Sequence, residues 1–95
     1  MTAYVIADIE VTDPAAYEGY KTAVGATIAA FGGRYLSRAG HTEVLEGGWQ
    51  PKRLVILEFP SLAQAQAWYR SPGYAPLLAL RKSASKSQLV ITEGL

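Results

Sequence analysis

Residues 4–20 read YVIADIEVTDPAAYEGY, and the change of period inside them decides the fold. Val5, Ala7, Ile9 and Val11 alternate with Tyr4, Ile6, Asp8 and Glu10. This is the two-residue period of a strand with one apolar and one mixed face. Asp13-Pro14 then supplies an N-cap followed by a proline at the first helical position. Beyond it Tyr17, Tyr20, Val24, Ile28 and Phe31 recur at steps of three and four, the stripe of an amphipathic helix. Gly19 and Gly25 weaken that helix by roughly 1 kcal/mol each relative to alanine, so it needs a sheet to lie on. Gly32-Gly33 stops it.

Working outward, Arg34–Arg38 resumes alternation as a second strand, with a bulge expected at Ala39-Gly40. Thr42–Glu46 is expected to continue extended, and Gly47–Pro51 to turn. Lys52–Phe59, centred on LVIL, predicts a third strand that Pro60 ends. Ser61 and Gln64 fit a capping box at the head of a helix from Leu62 to about Arg70. Ser71-Pro72-Gly73 breaks the chain before a shorter helix to about Lys82, and Gln88–Glu93 alternates as the last strand. WYRSPGYAPLL, residues 68–78, is therefore chiefly a corner. The order β-α-β-β-α-α-β predicts an α+β, ferredoxin-like split βαβ fold in one domain spanning residues 1–95. Four strands form an antiparallel sheet with the helices on one face.

Helices on one face leave the other bare. Period two assigns Val5, Ala7, Ile9, Val11, Val55, Leu57, Phe59, Leu89 and Ile91 to the covered face. Tyr4, Ile6, Asp8, Glu10, Leu36, Arg38, Leu54, Ile56, Glu58, Val90 and Thr92 fall on the bare one. Ile6, Leu36, Leu54, Ile56 and Val90 are too apolar for water, so a homodimer packed sheet against sheet is expected. The same face carries Asp8, Glu58 and Arg38. With the first and third strands as parallel neighbours, Asp8 and Glu58 would lie close together. Paired carboxylates raise one pKa, and a nearby arginine holds a carboxylate ionised. Asp8, Arg38 and Glu58 are thus the candidate catalytic residues, set against an ordinary ion-pair network at an interface. Tyr4, His41, Trp68, Tyr69 and Tyr74 are candidate pocket residues, with Arg70 and Ser71 candidates for its mouth. His41, the single histidine, suits a general base, a haem ligand or an exposed loop.

The totals exclude several classes. Nine basic and eight acidic residues give a net charge of +1, with the charges interspersed, where a nucleic-acid binder concentrates a basic patch. The densest basic stretch, RKSASKS at residues 81–87, reads as a solvated loop. The third strand also lacks the glycine and interior aromatics on which RNA-recognition domains stack bases, so no nucleic-acid partner is expected. There are no cysteines, which removes disulfides and thiolate chemistry. The lone histidine and scattered carboxylates match no metal-ligand spacing. The first residues carry Asp8 and Glu10 and no leading basic segment, so they read as a strand rather than a signal peptide. No apolar run approaches the ~20 residues that span a bilayer; no membrane association and a cytoplasmic location are expected.

YVIADIEVTDPAAY, FGGRY followed by VLEG, RLVILEFPS, WYRSPGY and the closing LVITEG together resemble the small bacterial family known as domain of unknown function 1330. The resemblance covers essentially the whole chain in order and spacing. It implies a dimeric α+β barrel, two ferredoxin-like sheets facing each other around a cavity. Folds of this kind include cofactor-free monooxygenases, haem degraders, muconolactone-type isomerases and chlorite dismutases, and the fold alone does not choose among them. The chain shows no Asn-Trp-His arrangement like that of the haem degraders, and its AGHTEVLEG segment, with His41, departs from the family pattern. The expectation is a small molecule bound in the dimer cavity without a tightly held cofactor, with monooxygenase- or isomerase-like chemistry. The alternative is a non-catalytic ligand-binding or stress-response module.

Overall fold

The computed structural model describes residues Met1–Leu95. Its elements are β1 (Ala3–Val11), α1 (Pro14–Ala30), β2 (Arg34–Arg38), β3 (Leu54–Phe59), α2 (Leu62–Tyr69), α3 (Ala75–Ala84) and β4 (Ser85–Glu93). The strands form one sheet in the order β2-β3-β1-β4, every neighbouring pair antiparallel. The helices cover one face. This is the ferredoxin-like α+β arrangement.

Local chemistry explains the elements. The Asp13 carboxylate accepts from the Ala16 N–H at 3.2 Å and Pro14 opens α1. The Ser61 hydroxyl accepts from the Gln64 N–H at 3.1 Å at the head of α2. Each satisfies a donor that a helix N-terminus would leave unpaired. The two faces of β1 sort as the alternation predicts: Ala3, Val5, Ala7 and Ile9 are buried under the helices. Val55, Leu57 and Phe59 of β3 join them, with Tyr17, Tyr20, Val24 and Ile28 of α1 packed above.

Five expectations need correction. The first and third strands are antiparallel neighbours: Asp8 faces Leu54 while Glu58 faces Tyr4. At about 3.4 Å per residue, the four steps from Leu54 to Glu58 set the two carboxylates ~13 Å apart along the sheet. They share no site. Second, the bulge lies at Leu36, between Tyr35 and Ser37, not at Ala39-Gly40. The extra residue flips the parity of Ser37 and Arg38, so Arg38 sits opposite Val55 on the helix-covered side, not with Leu36 on the bare face. Ala39, at φ 57°, marks where the chain leaves the sheet. Third, Thr42–Glu46 pairs with no strand and β3 starts at Leu54, so residues 39–53 form one excursion, exposed from Gly40 to Gln50 and half-buried again at Pro51 and Arg53. Fourth, the segment RKSASKS is no solvated loop: α3 runs to Ala84 and β4 begins at Ser85, paired with Val11. The N–H groups of Thr12 and Asp13 both donate to the Ala84 carbonyl and pin that junction. Fifth, Trp68, Ser71 and Tyr74 are buried in the helix-side core rather than at the rim of a sheet-to-sheet cavity.

Gly33 shows how tightly α1 is joined to the sheet. A Cβ there would meet Phe59 Cε1 at 2.6 Å and Ile28 Cγ2 at 2.7 Å, so only glycine lets the chain pass from helix to β2 at this distance.

Candidate functional site

The two faces of the sheet carry different chemistry. On the bare face, Ile6, Leu54 and Ile56 are half-buried while Leu36 and Val90 are exposed. Glu58 bonds Arg34, not Arg38, at 2.9 Å. Asp8 is capped from the excursion: the Trp49 indole N–H donates to Oδ2 at 3.0 Å and the Lys52 N–H to Oδ1 at 2.9 Å. The indole bond, opposed by partial burial and reinforced by the backbone N–H, holds the Asp8 carboxyl below its ordinary range. An acid so held stays ionised and fixes the excursion. Tyr4 is half-buried on this face beside Thr2, and His41 lies exposed with its Nε2 3.3 Å from Glu43. Arg70, at the end of α2, is exposed as well.

The covered face contains a narrow cleft between the sheet and α1, with a volume of ≈ 30 Å³. Its floor is Val5, Ala7, Ile9, Val55, Leu57 and Leu89, and Trp68 closes it from α2. Polar groups converge there from three elements and the end of the excursion: Tyr17, Tyr20 and Lys21 of α1, Tyr35 and Arg38 of β2, Arg81 of α3, and Arg53 just before β3. Arg38 reaches this wall because of the bulge; its Nη2 donates to the Lys21 carbonyl at 2.7 Å and its guanidinium stacks 4.6 Å from the Tyr35 ring. Burial raises the Tyr35 phenol.

Behind the cleft lies a buried polar chain. Arg81 is 2% exposed and Tyr74 is fully buried. Arg81 Nε donates to the Tyr74 hydroxyl at 3.4 Å, and Nη1 donates to the Ser87 hydroxyl. The Tyr74 and Tyr20 hydroxyls are 2.8 Å apart. Arginine only donates, so Tyr74 accepts from Arg81. Tyr74 has no acceptor other than Tyr20 for its own proton, and a fully buried hydroxyl without one is costly. The consistent direction is therefore Arg81 to Tyr74 to Tyr20, which leaves the Tyr20 proton unspent beside the cleft. Burial first, and Tyr74 second, push the Tyr20 pKa far above its ordinary 10.0, so this phenol is a donor and not a base. Burial is the strongest single influence on Arg81 and works against its charge, but the Tyr74 hydrogen bond and the field of Tyr74, Tyr20 and Tyr69 together outweigh it and the pKa is raised. The guanidinium stays charged.

Of the sequence-derived candidates, the structure brings Arg38 and Trp68 to the cleft. Tyr74 stands one hydrogen bond behind it, and Tyr69 half-covers the Trp68–Tyr74 ring pair from outside. Asp8, Glu58, Tyr4 and His41 lie elsewhere. Sequence reasoning missed Tyr17, Tyr20, Tyr35, Lys21, Arg53 and Arg81. A signal for two of them was present: tyrosines at positions 17 and 20 occupy the core stripe of α1, where aliphatic residues would pack without a hydroxyl to satisfy. No three His, Cys, Asp or Glu side chains converge in a group that holds a metal. No helix is long and apolar enough to cross a membrane.

The family model described as Domain of unknown function (DUF1330) matches residues 2–95. The chain belongs to this family. Among solved structures, a protein of unknown function from Rhodopseudomonas palustris superposes with a TM-score of 0.80 at 20% identity, covering 99% of this chain and 82% of that one. The cofactor-independent oxygenase SnoaB from Streptomyces nogalater gives a TM-score of 0.64 at 17% identity, with 99% and 92% covered. A dimeric ferredoxin-like protein of unknown function from Thermobifida fusca gives 0.66 at 17% identity, again covering 99% and 92%. Similarity at these identities establishes the fold and leaves the chemistry to the site. No curated protein matches the chain. For this DUF1330 member, then, any functional reading rests on the residues of the cleft.

Proposed function

We propose that this DUF1330 protein binds a small planar organic molecule in the cleft between sheet and α1, and acts on it without a bound cofactor, as a homodimer. The observation that carries the reading is the hydrogen-bonded chain Arg81–Tyr74–Tyr20, which ends at a phenol in the wall of a mostly apolar cleft. An apolar pocket with a few convergent polar groups is the usual form of a small-molecule site. Here the polar groups donate rather than accept. The wall contains no carboxylate or histidine, so the chemistry suited to it is stabilisation of charge developing on a ligand oxygen, with Tyr20 as donor or acid. The role proposed for Asp8 and Glu58 is thus replaced by hydrogen-bond donation from Tyr20, while Arg38 keeps a place in the wall. A cofactor-independent oxygenase with this fold supports the class of chemistry. The cleft holds no more than about one water molecule, ≈ 30 Å³, so entry of an aromatic ring requires α1 and the side chains that line the cleft to move away from the sheet.

The dimer would form through the bare face, where Ile6, Leu36, Leu54, Ile56 and Val90 make an apolar surface too continuous to face water. Glu58 and Arg34 would ring it as a polar border.

Methyl-detected NMR against a panel of small planar phenols tests the site. Shifts are expected at Val5, Val24, Leu57 and Leu89. Shifts confined to Val44, Leu45 or Val90, on the opposite side, would refute the assignment. A retained compound that returns with unchanged mass after aerobic incubation would reduce the activity to binding.

A further inference from the structure

We infer that the ligand of the cleft is an organic anion, a carboxylate or enolate-type oxyanion on a planar body, and that Arg53 is its anchor. This rests on the cleft being the small-molecule site and adds the ligand's charge. The chain as a whole is nearly balanced, with nine basic and eight acidic residues, yet the cleft wall holds Lys21, Arg38, Arg53 and Arg81 and no Asp or Glu. Lys21 alone has a carboxylate partner, Glu18 at 3.2 Å on the exposed side of α1. The other ion pairs, Arg34–Glu58 and His41–Glu43, lie elsewhere. Three guanidinium groups therefore face one cleft with no counter-charge from the protein.

The three are not equivalent. Arg81 spends Nε on Tyr74 and Nη1 on Ser87, and Arg38 spends Nη2 on the Lys21 carbonyl. Arg53 has none of this. Its Nε is the one buried side-chain nitrogen or oxygen in the protein without a hydrogen-bond partner. A donor stripped of water with nothing to accept from it is unfavourable, and an anionic oxygen is the acceptor that best relieves it. The position is also rigid: the Arg53 carbonyl accepts from the Ile9 N–H at 3.0 Å, which ties the root of β3 to β1. The guanidinium carbon lies 5.7 Å from the centre of the Tyr17 ring, and the Tyr35 ring lies under Arg38. A carboxylate bound at Arg53 would thus place a planar body beside the Tyr17 ring, in the cleft whose wall Tyr20 shares.

The probes are benzoate, its neutral analogue benzamide, and the cation benzylamine, titrated into the intact protein and into Arg53→Gln with methyl NMR as readout. Benzoate is expected to shift Val24 and Leu57 and to bind at least tenfold more tightly than benzamide, with benzylamine weakest. Arg53→Gln should lower benzoate affinity at least tenfold and leave benzamide unchanged. Arg53→Lys, which keeps the charge and loses the forked donors, should lower benzoate affinity severalfold; with the wild-type selectivity it decides the matter should Arg53→Gln prove unfolded by circular dichroism. Equal affinity for benzoate and benzamide at the cleft, or benzoate binding indifferent to both substitutions, overturns the anion assignment while the cleft stands. Absence of shifts at Val24 and Leu57 with every probe overturns the cleft itself.

Discussion

The buried chain behind the cleft makes a prediction that separates a polar network from ordinary core packing. Tyr74→Phe keeps the ring against Trp68, at 4.3 Å between centroids, and its edge contact with Tyr20. Only the hydroxyl is lost. Tyr20 then loses its partner, and Arg81, 2% exposed, keeps Ser87 alone. A stranded buried group costs about 1–3 kcal/mol, with charged groups toward the upper end, so Tyr74→Phe should destabilise by about 2–3 kcal/mol. For a domain of this size that lowers Tm by roughly 10–20 °C. Arg81→Met removes the charge with a flexible apolar chain of similar reach. It leaves the Tyr20–Tyr74 pair intact and should cost about 1–2 kcal/mol. The double variant has no buried charge to strand, so its cost should fall short of the sum by about 1 kcal/mol or more. Urea unfolding followed by tryptophan fluorescence, at one fixed protein concentration because association adds to stability, measures all three. Additivity within about 0.5 kcal/mol would show that Arg81 and Tyr74 do not act as a unit, and the assigned proton direction would fall with that result.

Single contacts set four further outcomes. Gly25→Ala should stabilise by about 0.5–1 kcal/mol in urea titration, since a Cβ there meets nothing within 4 Å in mid-helix. Gly33→Ala, whose Cβ would strike Phe59 and Ile28, should destabilise by about 1–3 kcal/mol in the same titration. Trp49→Phe removes the indole donor from Asp8, so the Asp8 carboxyl should titrate closer to its ordinary 3.8 when followed by carboxyl-carbon NMR. Because the folded pKa is the depressed one, the stability lost in this variant should be present in full above about pH 4 and disappear as pH falls through the lowered value. Val90→Asp puts a charge into the apolar bare face beside Ile6, its cross-strand partner. Sedimentation velocity should show a dimer for the wild type and monomer for the variant, with an unchanged far-ultraviolet spectrum; a variant that stays dimeric would place the interface elsewhere.

The limits of the sequence are themselves physical. The period of β1 and the caps at Asp13-Pro14 and Ser61–Gln64 are local properties, set within a few residues by sterics and backbone hydrogen bonding. They were enough for the fold. Which face a side chain meets is also local until the register slips, and one bulged residue, Leu36, moved Arg38 from one side of the sheet to the other. The pairing of Asp8 with Glu58 failed for a different reason: a β-α-β-β order already sets β3 antiparallel to β1, and that direction sends the two carboxylates to opposite ends of the pair. Arg81 illustrates the remaining gap. In sequence it belongs to a basic run and reads as solvent-exposed; in space its partners are Tyr74, seven residues back, and Ser87, six residues on in β4. Arg81 can be buried only because α3 passes into β4 without a loop, bringing Ser87 against the helix it has just left. Charge runs are read as surface because burial of a guanidinium is costly, and that inference holds until the fold supplies acceptors. The residues most useful for function are thus those whose cost is met from far along the chain, where no local pattern reports it.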